Sequence, residues 1–365
     1  MKKWTHLQLI SLLLGPVGLF LHVLYSYFPS HGERLYSAST NKLFIQFQSL
    51  FTGLFPFSFH EFLFYGLILF VFYLIIHTFI RSKNASQKQK LYFLSHLFNI
   101  GTFLSVTLFI FISFWGLNYS RPSLSETYGF HRTSYTHKEL INLYSYLIKK
   151  CNTLRENLPE NEVGVFTFQE DYRSIFKRAF LGYEEAASLF PTLGGNYGNP
   201  KPILASKLMN YTGITGFYSP FTGEANVSTA IPDLWLPCTT THEMAHQRGY
   251  AHEEDANFIA FLTCSLHPDT DFQYSGYFLA LLHTQSALWN VDKNLVKTLN
   301  THLSSKVKTD LNYNNDFWSK YDGWIEEISA QINDSYLKAN GVSDGEKSYG
   351  RMVNHLLDYY EAYLH

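Results

Sequence analysis

Residues 242–246 read His-Glu-Met-Ala-His. On a helix His242 and His246 lie four residues apart, so both imidazoles leave one face and can grip a single Zn²⁺. Glu243 then stands beside the metal, where its carboxylate can take a proton from a water that the metal has made acidic. Upstream, Thr239, Thr240 and Thr241 offer hydroxyl N-caps, and Gly249 offers a helix stop three residues after His246. The chemistry this spacing predicts is metal-assisted hydrolysis with a glutamate general base. A catalytic zinc takes three protein ligands and keeps a fourth position open, so a third ligand must come from elsewhere.

Downstream the chain runs QRGYAHEEDANFIAFL, which offers His252, Glu253, Glu254 and Asp255. Read literally, HEMAHQRGYAH satisfies the metzincin pattern H-E-x-x-H-x-x-G-x-x-H, with His252 as third ligand. That pattern also needs a methionine turn beneath the metal, and the one later methionine, Met352, sits in an apparent C-terminal helix. Glu253 is the favoured ligand. With Asn257 one turn later it makes Glu-x-x-x-Asn, similar to the Glu-x-x-x-Asp of thermolysin-like zinc peptidases. There the glutamate binds metal and the polar residue supports a metal-bound histidine. Gly249 permits the reversal that folds a helix from Glu253 to about Leu266 back on the first. The remaining acids suit a solvated first helical turn. Cys238, four residues before His242, reads as a small buried thiol.

A peptidase must also hold an extended substrate and stabilise an oxyanion. Glu224-Ala-Asn-Val-Ser228 precedes the metal helix and is the expected substrate-side edge strand, with Asn226 as a hydrogen-bonding side chain. Tyr349 is the expected oxyanion donor, with Tyr218 and Arg351 as alternatives. Arg248, at the end of the metal helix, is expected to cap carbonyls or neutralise carboxylates.

The elements that must carry this site divide in two. Of 365 residues, 28 are Lys or Arg and 30 Asp or Glu, a balance that gives no electrostatic case for nucleic acid. Aromatic residues make up 18%, with Phe concentrated in the first 120 residues, which points to a lipid bilayer. Three cysteines, Cys151, Cys238 and Cys264, make no disulfide framework. Residues 7–28 hold no charged residue and are long enough to span; 61–80 and 95–117 follow as second and third spans. Lys2, Lys3, Arg81, Lys83, Lys88 and Lys90 flank them, so the N-terminus and the 81–90 loop are expected in the cytoplasm. Residues 1–117 then form a membrane domain and 118–365 an extracytoplasmic one. Between the first two spans, LFIQFQSLFTGLFPFSF is too short and too interrupted by Gly53 and Pro56 to cross, and reads as an interfacial or re-entrant element.

The second domain reads as α-rich with a small β element. Thr136 to Glu139 form a capping box that opens a helix to about Leu158, and 167–189 is a second helix ending before Pro191. Residues 193–204 read as loop and 212–230 as a turn and short strand. From Thr239 onward the pattern is helical, with breaks near Gly249, Pro268, Asn312–Asn315 and Gly341–Gly345.

Three runs, WGLNYSRPSL (115–124), FYSPFTGEANVS (217–228) and THEMAHQRGYAHEEDANFIAFL, together resemble a bacterial membrane-protein family known only as domain of unknown function 3810. The resemblance covers essentially the whole chain. It implies membrane spans followed by a zincin-like extracytoplasmic domain, and implies no substrate. The function expected is a membrane-anchored zinc metallopeptidase acting on a peptide or protein substrate. A zinc amidase acting on cell-wall peptides and a non-catalytic zinc-binding sensor or assembly module are the alternatives.

Overall fold

The structure is a computed structural model describing residues 6–82, 88–129, 132, 134–342 and 351–364. It is mainly helical. The first part comprises α1 (His6–Ser26), α2 (Asn41–Gly53), α3 (Phe59–Ser82) and α4 (Lys88–Phe114). By length and composition α1 and the Phe59–His77 part of α3 can cross a bilayer, and α4 carries a shorter apolar stretch, Phe98–Phe114. The apolar segments expected at 7–28 and 61–80 are thus single helices. That expected at 95–117 ends in helix at Phe114, followed by a 3₁₀ turn, Gly116–Ser120. α1 and α4 pack through small residues, which let helix backbones approach closely. The Gly15 N–H donates to Ser105 Oγ at 2.8 Å, and the Ser105 hydroxyl donates to the Leu12 carbonyl at 2.9 Å.

The second part follows as α5 (His137–Arg155), α6 (Tyr172–Leu189), β1 (Lys201–Pro202), β2 (Gly216–Ser219), β3 (Glu224–Val227), α7 (Leu236–Gln247) and α8 (Glu253–Leu266). It continues through α9 (Thr270–Val291), α10 (Ser305–Trp318), α11 (Trp324–Ala339) and α12 (Met352–Tyr359). The capping box at Thr136 and Glu139 forms as expected, worth about 1 kcal/mol. α5 buries Leu140, Leu143, Tyr144, Leu147, Ile148 and Cys151 at helical spacing in a core shared with α6, α8, α9 and α12. α7 lies within this core, bedded on α8, α6 and β3.

Three local expectations are corrected. α7 begins at Leu236, with Pro237 in its first turn, so the three threonines are not caps. They are buried inside the helix, where Thr240 and Thr241 hydroxyls donate to the carbonyls of Leu236 (2.6 Å) and Pro237 (3.1 Å) four residues back. The asparagines at 312–315 do not break the chain: α10 runs through them because Val307 and Asn314 pack inward and Asn314 accepts the Trp235 indole N–H at 2.5 Å. The second helix starts at Tyr172, capped by the Asp171 side chain, rather than at 167.

The sheet order is β1-β3-β2, with β1 parallel and β2 antiparallel to β3, and Phe217 opposite Asn226. β3 is therefore the central strand, and the expectation that 224–228 forms a substrate-side edge is wrong. β1, two residues inside a Gly- and Pro-rich loop, covers it. The sheet rests on the start of α3. Glu224 accepts the N–H groups of Phe59 (3.0 Å) and His60 (2.9 Å), while Glu61 accepts those of Leu204 (2.7 Å) and Ala205 (3.2 Å). A carboxylate at a helix N-terminus meets both free N–H groups and a favourable dipole.

Candidate metal centre

α7 carries His242 and His246 on one face, and the turn after it folds α8 back over them. Gly249 makes that turn possible with φ +81°, a conformation that side-chain-bearing residues rarely adopt. Arg248, buried beside it, donates to the Met244 (3.0 Å) and Leu193 (2.9 Å) carbonyls and lies 3.6 Å over the Tyr183 ring. It caps the helix, as its position in sequence suggests. Glu253, the first residue of α8, arrives opposite the two imidazoles. His242 Nε2 is 3.2 Å from Glu253 Oε2, His246 Nε2 is 3.7 Å from Oε1, and the two Nε2 atoms are 3.1 Å apart. One ligand atom from each of the three residues lies within 4.8 Å of the others.

His246 Nδ1 is 2.7 Å from the Tyr250 carbonyl, an acceptor only, so Nδ1 carries the proton and Nε2 faces the cluster. Two lone-pair nitrogens and a carboxylate cannot converge this closely without a positive charge among them. In the metal-free protein a proton supplies it. Burial works to lower the His246 pKa, but the Glu253 carboxylate outweighs it and lifts the group to about 9. Burial likewise works to raise Glu253, yet His246 and His242 hold it well below the usual carboxylate range. A divalent cation can replace that proton.

Glu243 is the fourth member. Its carboxylate is buried against β2 at Gly216, where an added Cβ would come within 2.6 Å of Oε1. Its Oε2 has no hydrogen-bond partner among the described residues. Burial pushes its pKa up to about 7, against the pull of His242 and His246. The four residues line a cleft of about 690 Å³, bounded by β2, by Trp115 and Tyr119 after α4, and by α11 through Glu326, Asn333 and Tyr336.

Residues 36–357 match the model of a family described as Protein of unknown function (DUF3810). The chain belongs to that family. No curated protein and no solved structure matches it. The DUF3810 match begins after α1 and takes in every residue of the cluster.

The other candidate side chains of this DUF3810 chain make different contacts. His252 turns its Nε2 to the Tyr119 carbonyl (3.1 Å), Asp255 pairs with His355 (3.3 Å) on α12, and Glu254 pairs with Arg351 (2.5 Å). Arg351 is thereby engaged away from the cluster, and Tyr349 lies outside the described residues. Cys238 borders the cleft but bonds the Trp235 carbonyl, and burial pushes its thiol up to about 12. Asn257 stands on the cleft wall without a hydrogen bond to either histidine among the described residues. The support expected of it comes instead, for His246, from the Tyr250 carbonyl. Asn226 is wholly buried on the central strand and donates to the Glu224 carbonyl (3.1 Å), which removes it from substrate contact. The strand that does border the cleft is β2. Tyr218, on β2, packs its ring on Trp115 at 4.7 Å.

Two cleft residues escaped sequence reasoning. The Tyr119 hydroxyl donates to Tyr336 at 3.2 Å across the wall facing the ligands. Tyr119 lies inside the run WGLNYSRPSL, which was the available signal; nothing local marks Tyr336.

Proposed function

We propose that this protein is a membrane-anchored zinc metallopeptidase whose catalytic domain lies outside the cytoplasmic membrane. The observation that carries the reading is the convergence of His242, His246 and Glu253 with a buried Glu243 beside them, its Oε2 without a partner among the described residues. Two imidazole nitrogens and a carboxylate, one imidazole oriented by a carbonyl, form a donor set suited to catalytic Zn²⁺. When bound, Zn²⁺ supplies the Lewis acidity that makes water acidic near neutral pH and polarises a carbonyl. Glu243, its pKa near 7 before metal enters, accepts a proton from the attacking water and returns it to the leaving amine. β2 offers an edge along which a substrate backbone pairs, with Gly216 and Phe217 on the cleft. Tyr336, whose oxygen accepts from Tyr119, keeps its own O–H to donate to the substrate carbonyl oxygen.

The anchoring follows from α1, α3 and α4 read as three crossings, with the basic residues at both ends of the α3–α4 connection on the cytoplasmic side. The test is Glu243→Gln in the full-length protein. The amide fills the same volume and leaves all three ligands, so zinc stays bound while hydrolysis of a peptide library falls by about 10²–10⁴. Unchanged turnover at full zinc occupancy would remove Glu243 as the base and the peptidase reading with it.

A further inference from the structure

α2 is amphipathic with its polarity inverted. Its polar side is fastened inward: Asn41 donates to the Phe114 carbonyl (2.8 Å) at the end of α4, and Gln48 and Thr52 donate to the Phe221 (2.6 Å) and Thr222 (3.0 Å) carbonyls of the second domain. Ser49 Oγ and Gln46 Oε1 accept the N–H groups of Gly198 (3.1 Å) and Asn196 (2.8 Å). Its apolar side, Leu43, Phe47, Leu50 and Leu54 at helical spacing, faces outward, with Phe47 72% exposed. α11 repeats the inversion, giving Glu326, Ser329 and Asn333 to the cleft and turning Trp324 (69% exposed), Ile328 and Ile332 (66%) away. Leu204 and Leu208 are equally bare on the loop before β2. A protein facing water on these sides would reverse both helices.

All three surfaces stand level with the same ends of the apolar helices. α2 connects α1 to α3, the backbone of Leu204 is bonded to Glu61 in the first turn of α3, and the Tyr336 ring meets Phe111 near the end of α4. Phe55, Phe57, Phe59 and Phe62 cluster at the same place, where an aromatic belt is favoured. Continuity with helices long and apolar enough to cross a bilayer selects lipid as the occupant over a protein partner. We infer that the outward faces of α2 and α11, with the loop carrying Leu204 and Leu208, form a collar seated in the interfacial zone of the bilayer, so that the metal cleft opens at the membrane surface. Resting on the hydrolase reading, this assigns the substrate class: a polypeptide tethered to, or emerging from, the membrane.

The test places spin labels on Phe47→Cys, Leu208→Cys and Ile332→Cys, with exposed Val163→Cys as control, in full-length protein in phosphatidylethanolamine–phosphatidylglycerol nanodiscs. The three native cysteines are buried, so labelling reports the introduced thiols. Collisions with lipid-soluble oxygen should exceed those with a water-soluble nickel chelate at the three collar sites, and the reverse should hold at Val163. Collar labels as open to the nickel chelate as Val163 would overturn the seating. In a second arm, an acylated peptide bound to the nanodisc should be cleaved about ten-fold or more faster than the same peptide free in solution. Equal rates would overturn the substrate class; failure to cleave either by zinc-loaded protein would sink the hydrolase reading, while the labels decide the collar independently.

Discussion

Arg155 and Asp310 meet inside the second domain between α5 and α10; His242, His246, Glu253 and Glu243 meet between α7, α8 and β2. In the first cluster every valence is spent. Asp310 accepts Arg155 Nε (2.7 Å), the Tyr274 hydroxyl (2.7 Å) and the Phe166 N–H (2.8 Å), while Arg155 also reaches the Gly164 carbonyl at 3.0 Å. In the second, imidazole nitrogens and a carboxylate crowd together and a buried carboxylate oxygen of Glu243 has no partner among the described residues. Buried polar groups are normally satisfied, so the contrast separates a cross-brace from the site proposed to take a cation and a water. The first cluster braces the domain; under the proposed function, the second gives up some stability for chemistry.

Breaking the brace should have the largest effect on folding. Asp310→Ala strands a buried guanidinium and should destabilise the domain by about 3–5 kcal/mol, read by urea unfolding in detergent, with zinc still bound below the transition. Substitution in the other cluster should do the opposite. Glu253→Ala should weaken zinc binding more than about 100-fold, beyond what loss of a supporting contact causes, with a smaller loss of metal-free stability than Asp310→Ala, because His246 can shed its proton once the carboxylate is gone. His252→Ala should keep the metal, because that imidazole is occupied by the Tyr119 carbonyl. Zinc lost from His252→Ala and kept by Glu253→Ala would revive the metzincin assignment.

The smallest effect concerns pH. Glu243 has its pKa raised from an ordinary 4.5 to about 7, so between those values the folded metal-free protein binds more protons than the unfolded chain. Its stability therefore falls as pH rises through that window. Metal-free Glu243→Gln, which has no such charge to bury, should melt higher than metal-free wild type at pH 8, with a smaller gain at pH 5. Equal gains at both pH values would show that the carboxylate is solvated.

The clustering of His242, His246 and Glu253 was legible because it is local: four residues on one helix, a glycine turn, and an acid at the head of the next helix. The long apolar helices were legible in composition for the same reason. The errors were non-local. Alternation in 224–228 reveals a strand but not its neighbours, and only folding shows β1 covering it. Tyr119 and Tyr336 meet across 217 residues of chain, beyond any periodicity. The asparagines of α10 carry break signals that burial of Val307 and Asn314 overrides.

The central claim is a zinc centre with three protein ligands and an open position. Zinc content and the zinc-edge X-ray absorption spectrum of the purified full-length protein test it most directly. The account predicts one zinc per chain in a shell of two nitrogens and light oxygens at about 2.0–2.2 Å, one nitrogen fewer in His242→Ala, and no sulfur. Protein without zinc, or with a scatterer at about 2.3 Å signalling Cys238 as a ligand, would contradict it.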